Sequence, residues 1–362
     1  MKIRTITTGI PSPFSHDYLQ RAAEFNATCR TRFEANGYEV QSTRISTQVW
    51  NDAPDIEDIL ALETQTKALG IEFLSLGTIF PDEPHPVGAL STRAIPPNPL
   101  EHIADAIAQS ETFFASVSID IKDVNDLLIG RRVSKFLEST ANIIQQIAHN
   151  TENGYGNLRF AALMNCPPNT PFFPAAYWQA DSMNFGIGWQ AADLVYETFA
   201  DAPNLNTALQ YLKTRMEKEG QQIVAIAQTL AHEHEIPFVG IDVSPAPMGD
   251  ESIAYALEQQ LPGHFGERGT LTVCANLTRT LRALKLPLCG YSGLMLPVLE
   301  DIGLGQRSQE GCFNLDSLLL YSAVCGTGLD TIPIPGDATT SQITAILTDV
   351  ATLSSRLSKP LS

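Results

Sequence analysis

Apolar positions along the chain fall into short, nearly continuous runs separated by stretches of helical period. "KIRTITTGI" opens, and "HDYLQRAAEFNATCRTRFEANG" follows with a helical pattern closing on Gly37. "DIEDILALETQTKALG" then precedes "IEFLSLGTI", and "FFASVSI", "RFAALMN", "SMNFGIG", "FVGIDVSPA" and "LDTIPIP" come after. Runs this short and this apolar read as strands covered on both faces, in a largely parallel sheet or barrel. The longest predicted helix covers 205–235, where Leu209, Leu212, Met216, Ile223, Ile226 and Leu230 form one stripe. Gly220 interrupts it at a cost on the order of 1 kcal/mol relative to Ala. The Pro-rich excursion 81–99 reads as a surface loop, and residues 1–362 as a single α/β domain.

Hydrophobic content of 44% and charged content of 17% suit a sizeable core. No long apolar span or basic-then-apolar leader stands out, so the expectation is a cytoplasmic protein with no membrane partner. A net charge of −17, with no basic cluster beyond Gly130–Arg132, argues against nucleic acid. The six cysteines include no C-x-x-C pair, which fits free thiols in a reducing compartment.

Candidate chemistry gathers at predicted strand ends. Asp242 closes the "FVGID" run, Ser244 lies two residues on, and Asp250 is placed to cap the helix that follows, through Leu261. Asp242 is equally compatible with a turn-forming role. Gly186-x-Gly188-x-x-Ala191 lies between a short strand and a helix. It could admit a ligand carboxylate or phosphate to backbone amides, or serve close packing. Ser292 sits in a turn-like segment, and Glu300 and Asp301 are either an acid pair or a solvated edge. His232 and His234 suit a helix C-terminus better than a metal, since positions two apart point in different directions. Cys325 is expected at a helix C-terminus ended by Gly326, where a thiolate is disfavoured, so it reads as a packing thiol beside a ligand cavity.

Several stretches resemble one family: "IRTITTGI", "NFGIG", Gly240–Ala254, "SGLMLPVLED" and "CGTGLDTIPIPGD". It is the uncharacterised family called domain of unknown function 711, or uncharacterised protein family 0210, and the likeness runs along essentially the whole chain. The resemblance implies a pyruvate formate-lyase-like α/β barrel of two parallel half-sheets surrounded by helices, a fold also similar to that of the ribonucleotide reductases. It does not supply a reaction. A glycyl radical centre is not expected, because no glycine follows Gly336 and Cys325 has no adjacent second cysteine. The family-like residues are Asn165, Asp242, Ser244, Asp250, Ser292, Glu300, Asp301, Cys325 and Asp330. Gly269-Thr270 starts a helix that could offer amides to an anion, with Arg268 where the family pattern has a histidine.

Two functions follow as expectations. One is a non-radical acid–base enzyme, of hydrolase or lyase type, on a small anionic metabolite. Asp242, Asp330, Glu300 and Asp301 would be its acids, and Asp242 and Asp330 could hold Ca²⁺ or Mg²⁺. The other is a non-catalytic small-molecule-binding or regulatory protein. A homodimer is the default assembly.

Overall fold

The computed structural model describes residues 2–11, 15–48, 56–80, 102–121 and 131–362. The 81–99 excursion and Gly130 lie outside the described residues. Eight strands among the described residues form one sheet: β1 (Lys2–Gly9), β2 (Glu39–Val40), β3 (Thr43–Ser46), β4 (Phe73–Ile79), β5 (Phe113–Ile119), β6 (Phe160–Met164), β7 (Asn184–Gln190) and β8 (Phe238–Asp242). Their order is β6-β5-β4-β3-β1-β7-β8, with β2 also on β1. β1 to β6 are mutually parallel, β8 runs parallel to β7, and the two sets meet antiparallel at β1/β7. The result is a curled, mostly parallel half-barrel surrounded by helices.

Strand alternation explains how the sheet is covered on both faces. Ile3, Ile6, Ile45, Leu74, Val117, Phe185, Ile187 and Ile241 join a core shared with the helices. The opposite face carries small and hydroxylated residues that hold a loop. Thr7 Oγ1 donates to Pro171 O at 2.7 Å, and Ser46 and Ser75 both donate to Ala176 O at 2.9 Å. Buried loop carbonyls need such donors. Gly186 and Gly188 are in the middle of β7, not between a strand and a helix. A Cβ at Gly186 would lie 3.3 Å from the Trp178 ring, and one at Gly188 3.0 Å from Phe172. Their missing side chains make room for the loop aromatics.

The helices are α1 (His16–Ala35), α2 (Ile56–Ala68), α3 (Ile103–Gln109), α4 (Arg131–Asn150), α5 (Ala192–Ala200) and α6 (Leu205–His234). α7 (Ile253–Glu258), α8 (Thr270–Arg282), α9 (Ile302–Gln309), α10 (Leu315–Ser322) and α11 (Thr340–Leu357) follow. Along α6 the stripe Leu209, Leu212, Met216, Ile223 and Leu230 is buried, with Ile226 partly so. Gly220 is buried there because the Leu286 side chain occupies the space a Cβ would need. No helix among the described residues is long and apolar enough to cross a membrane.

Three further expectations need correction. "LDTIPIP" pairs with no strand: Pro333 and Pro335 lack the N–H a ladder requires, and Asp330 is left-handed at φ 60°. Asp250 is not the cap of α7. Ser252 is, accepting from Tyr255 N at 3.2 Å, and α7 ends at Glu258 rather than Leu261. α10 ends at Ser322, and Gly326 does not stop it; the left-handed glycine is Gly328, at φ 118°.

Candidate functional site

Asp242 ends β8 level with Gly188 of β7, which itself pairs with Thr5 of β1. Its fully buried carboxylate gathers two distant loops. Oδ1 accepts from Ser244 N at 3.0 Å, Ser244 Oγ at 2.6 Å and Ser292 N at 3.0 Å, and Oδ2 accepts from Tyr291 N at 2.7 Å. Burial pushes its carboxyl above the usual range, and these four donors pull the other way. Gly290, at φ 58°, leaves the space through which Asp242 Oδ2 and Thr170 Oγ1 approach; a side chain there would overlap Oδ2.

A second glycine-rich loop packs on the first. A Cβ on Gly293 would lie 2.7 Å from Gly326 Cα, and Gly326 N donates to Leu294 O at 2.6 Å. Gly293 N donates in turn to Ser244 Oγ at 3.1 Å, so the loop beside Gly326 is tied to the Asp242 cluster. The Gly326 loop carries Asp330, half-buried, with Thr327 Oγ1 3.5 Å from its Oδ2. Burial, and then the Glu300 charge, push the Asp330 carboxyl up to about 7. The Asp330 charge is also felt at Tyr291. Burial first, and Cys166 and Asp330 after it, hold that hydroxyl well above the phenol range. Tyr291 donates to Ser362 Oγ at 3.0 Å, and Ser362 O accepts from Asp330 N at 3.2 Å. Asp242, Ser244, Ser292, Tyr291 and Asp330 are thus one connected cluster.

Three of the singled-out non-glycine residues hold a left-handed backbone: Asn165 at φ 54°, Ser292 at φ 42° and Asp330 at φ 60°. Asn and Asp tolerate this conformation better than Ser does. Such backbone gathers at functional sites.

The other candidates are placed differently. Glu300 is exposed and bonds Arg4 at 3.1 Å, which brings β1 to the same rim. Asp301 is buried: its Oδ1 accepts from Leu304 N at 2.9 Å and Ser252 Oγ at 2.6 Å, its Oδ2 from Ile253 N at 2.6 Å. One carboxylate therefore serves the N-termini of both α9 and α7. Asn165 pins the end of β6 to the chain after β5. It accepts from Ile121 N at 2.7 Å and donates to Ser354 Oγ at 2.9 Å. Asp250 is exposed. Gly269 is the left-handed N-cap of α8, and the buried Thr270 accepts from Gly266 N at 3.1 Å. Cys325 is fully buried three residues beyond α10. Its Sγ lies 3.4 Å from Gly328 O and 3.9 Å from Lys359 Nζ.

Sequence reading did not single out Tyr291, Arg4, Thr327 or Thr170. Arg4 carries a signal, a charge inside an apolar strand; Tyr291 has none beyond its place beside Ser292 in "CGYSG". No three His, Cys, Asp or Glu side chains among the described residues group to hold a metal ion. The shell of donors around Asp242 suits a structural carboxylate rather than a cation ligand.

The Uncharacterised ACR (DUF711) family matches residues 1–362, and the chain belongs to that family. A UPF0210 protein of Pyrobaculum aerophilum is 32% identical over 216 residues, 56% of this chain and 48% of that protein. One from Bifidobacterium animalis is 25% identical over 312 residues, covering 81% and 64% of the two chains. One from Listeria monocytogenes is 24% identical over 315 residues, covering 83% and 67%. The chain thus spans about half the length of the first relative and roughly two thirds of the other two.

Proposed function

We propose that this chain is an enzyme performing non-radical acid–base chemistry, of hydrolase or lyase type, on a small polar metabolite that carries negative charge. The reading rests on Asp330, whose carboxyl is pushed to about 7 beside Glu300 in a left-handed turn. A carboxyl with a pKa near the working pH can both give and accept a proton. In this reading Asp330 is the proton-transfer group, Ser244 and Ser292 orient the ligand, and Asp242 is a positioning residue. The carboxylate of Asp242 already meets four donors, so its contribution is to fix the loop that carries Tyr291 and Ser292. Burial, and after it the Glu300 charge, keep Asp330 partly protonated near neutrality. The two parallel strand sets meeting at β1/β7 support a pyruvate formate-lyase-like barrel as the finer fold, folding as a single unit over 1–362.

A screen of phosphorylated and carboxylated metabolites between pH 6 and 8 tests the reading. Turnover should fall about 10²-fold or more in Asp330→Asn while the variant keeps its cooperative unfolding. A folded Asp330→Asn with wild-type turnover removes Asp330 from the mechanism. Saturable binding with no turnover would leave the chain a ligand-binding protein.

A further inference from the structure

We propose that Arg44 is the docking point for the anionic group of the ligand, a carboxylate or phosphate that presents two coplanar oxygens. The proposal rests on the functional reading above and names the group by which the metabolite is held.

Arg44 is on β3, and its guanidinium lies 5.4 Å from the Phe73 ring centre and 5.1 Å from that of Phe173. Phe114 completes the aromatic cluster, 5.5 Å from Phe73 and 5.1 Å from Phe173. Nε donates to Ser42 Oγ at 2.9 Å, and the same Ser42 Oγ donates to Arg4 O. The two terminal nitrogens of Arg44 have no hydrogen-bond or ion-pair partner among the described residues. Other part-buried arginines do. Arg30 bonds Val40 O and Glu72, Arg159 bonds Ser110 O and Ile107 O, and Arg307 bonds Glu258 and Glu310.

A cation held among aromatic rings without a directly bonded anion is costly. Burial, with the Arg4 charge next, pulls the Arg44 guanidinium down to about 9, so it is still a cation at neutral pH. The Glu300 and Glu72 charges favour the cation through space, but neither carboxylate bonds the guanidinium: Glu300 bonds Arg4 and Glu72 bonds Arg30. The two rings flank the guanidinium, and an oxyanion that reached its two terminal nitrogens would make bidentate contact. Its position is also right. Arg4, whose charge Arg44 feels, bonds Glu300, and Glu300 is the acid that raises Asp330. The anion would bind at the rim where the proton-transfer carboxyl lies.

Unfolding temperature and calorimetric Kd can be measured with inorganic phosphate and with malonate, against chloride at matched ionic strength. The variants are Arg44→Met, Arg44→Lys and Asp330→Asn. Wild type and Asp330→Asn should show a saturable rise with at least one probe, and the preferred probe separates phosphate from carboxylate recognition. Arg44→Met should unfold no earlier than wild type without anion, because it loses a buried charge whose terminal nitrogens bond no group among the described residues. Its Kd for the probe should weaken at least about tenfold. Arg44→Lys should weaken binding by a smaller factor. Three results would each overturn the proposal: no saturable response in wild type, a wild-type response in Arg44→Met, or earlier unfolding of anion-free Arg44→Met. Retained turnover in Asp330→Asn would instead remove the acid–base assignment and leave the Arg44 result standing.

Discussion

Gly293 and Gly326 meet backbone to backbone: a Cβ on Gly326 would lie 2.6 Å from Gly293 C, and one on Gly293 2.7 Å from Gly326 Cα. That contact joins the loop fixed by Asp242 to the loop carrying Asp330. Neither glycine is left-handed, so space alone excludes a side chain. Gly326→Ala should cost about 1–3 kcal/mol, read from urea unfolding. Gly336→Ala, with nothing within 4 Å of the added carbon, should be neutral or slightly stabilising. Equal stability of the two variants would mean that the loops can move apart freely.

Asp330 should make the protein less stable as pH rises. Its folded value, about 7, is above the reference 3.8, so its contribution is fully present below 3.8 and is lost as pH rises to about 7. Asp330→Asn removes this dependence. Its unfolding temperature should overtake that of wild type progressively between pH 4 and 7, then keep a constant lead. The expected gain at pH 8 is on the order of 1–3 kcal/mol, allowing for partial solvent access. A pH-independent difference between the two proteins would contradict the placement of Asp330.

Asp242→Asn should impair folding rather than only turnover. An amide brings donor hydrogens to face Tyr291 N or the three donors on Oδ1, leaving buried donors unpaired. The expected cost is about 2–4 kcal/mol, read from the urea midpoint. A variant as stable as wild type would show that the carboxylate is not what holds the two loops.

Glu63 should shape the acid limb of stability, far from the candidate site. Its Oε1 accepts from Ser110 Oγ, Glu111 N, Thr112 N and Thr112 Oγ1 at 2.7–2.9 Å, tying α2 to the turn before β5. Burial alone would raise its carboxyl, but these donors outweigh burial and hold it at about 2. Because that is below the reference 4.5, the stability it contributes is present above 4.5 and lost as pH falls toward 2. Glu63→Gln should lower stability at pH 7 by about 1–3 kcal/mol and flatten the decline below pH 4.5. An unchanged acid limb would rule the contact out.

Local pattern was legible where a residue's burial depends on its own neighbours in sequence. The stripe on α6 follows from the helical period, and the strands β1, β4, β5 and β8 from short, nearly unbroken apolar runs, which suit burial on both faces. Pattern failed where the deciding partner is distant. Gly186 and Gly188 resemble a helix-start fingerprint, but the rings of Trp178 and Phe172 take the space beside them. Asp301 resembles half of an acid pair, but it caps α7, whose first residue is 48 positions earlier.

The sequence by itself determined an alternating α/β chain with acids and glycines at its strand ends, because those features are written in residue type and spacing. Only the tertiary structure decided which acids matter to one another. Sheet order brings the end of β8 level with the first half of β1, across β7. Loop closure then places Tyr291 on Asp242 and Gly293 on Gly326. Solvation and charge at Asp330 follow from that assembly, since a pKa is set by what surrounds a group in space and not by its place in the chain.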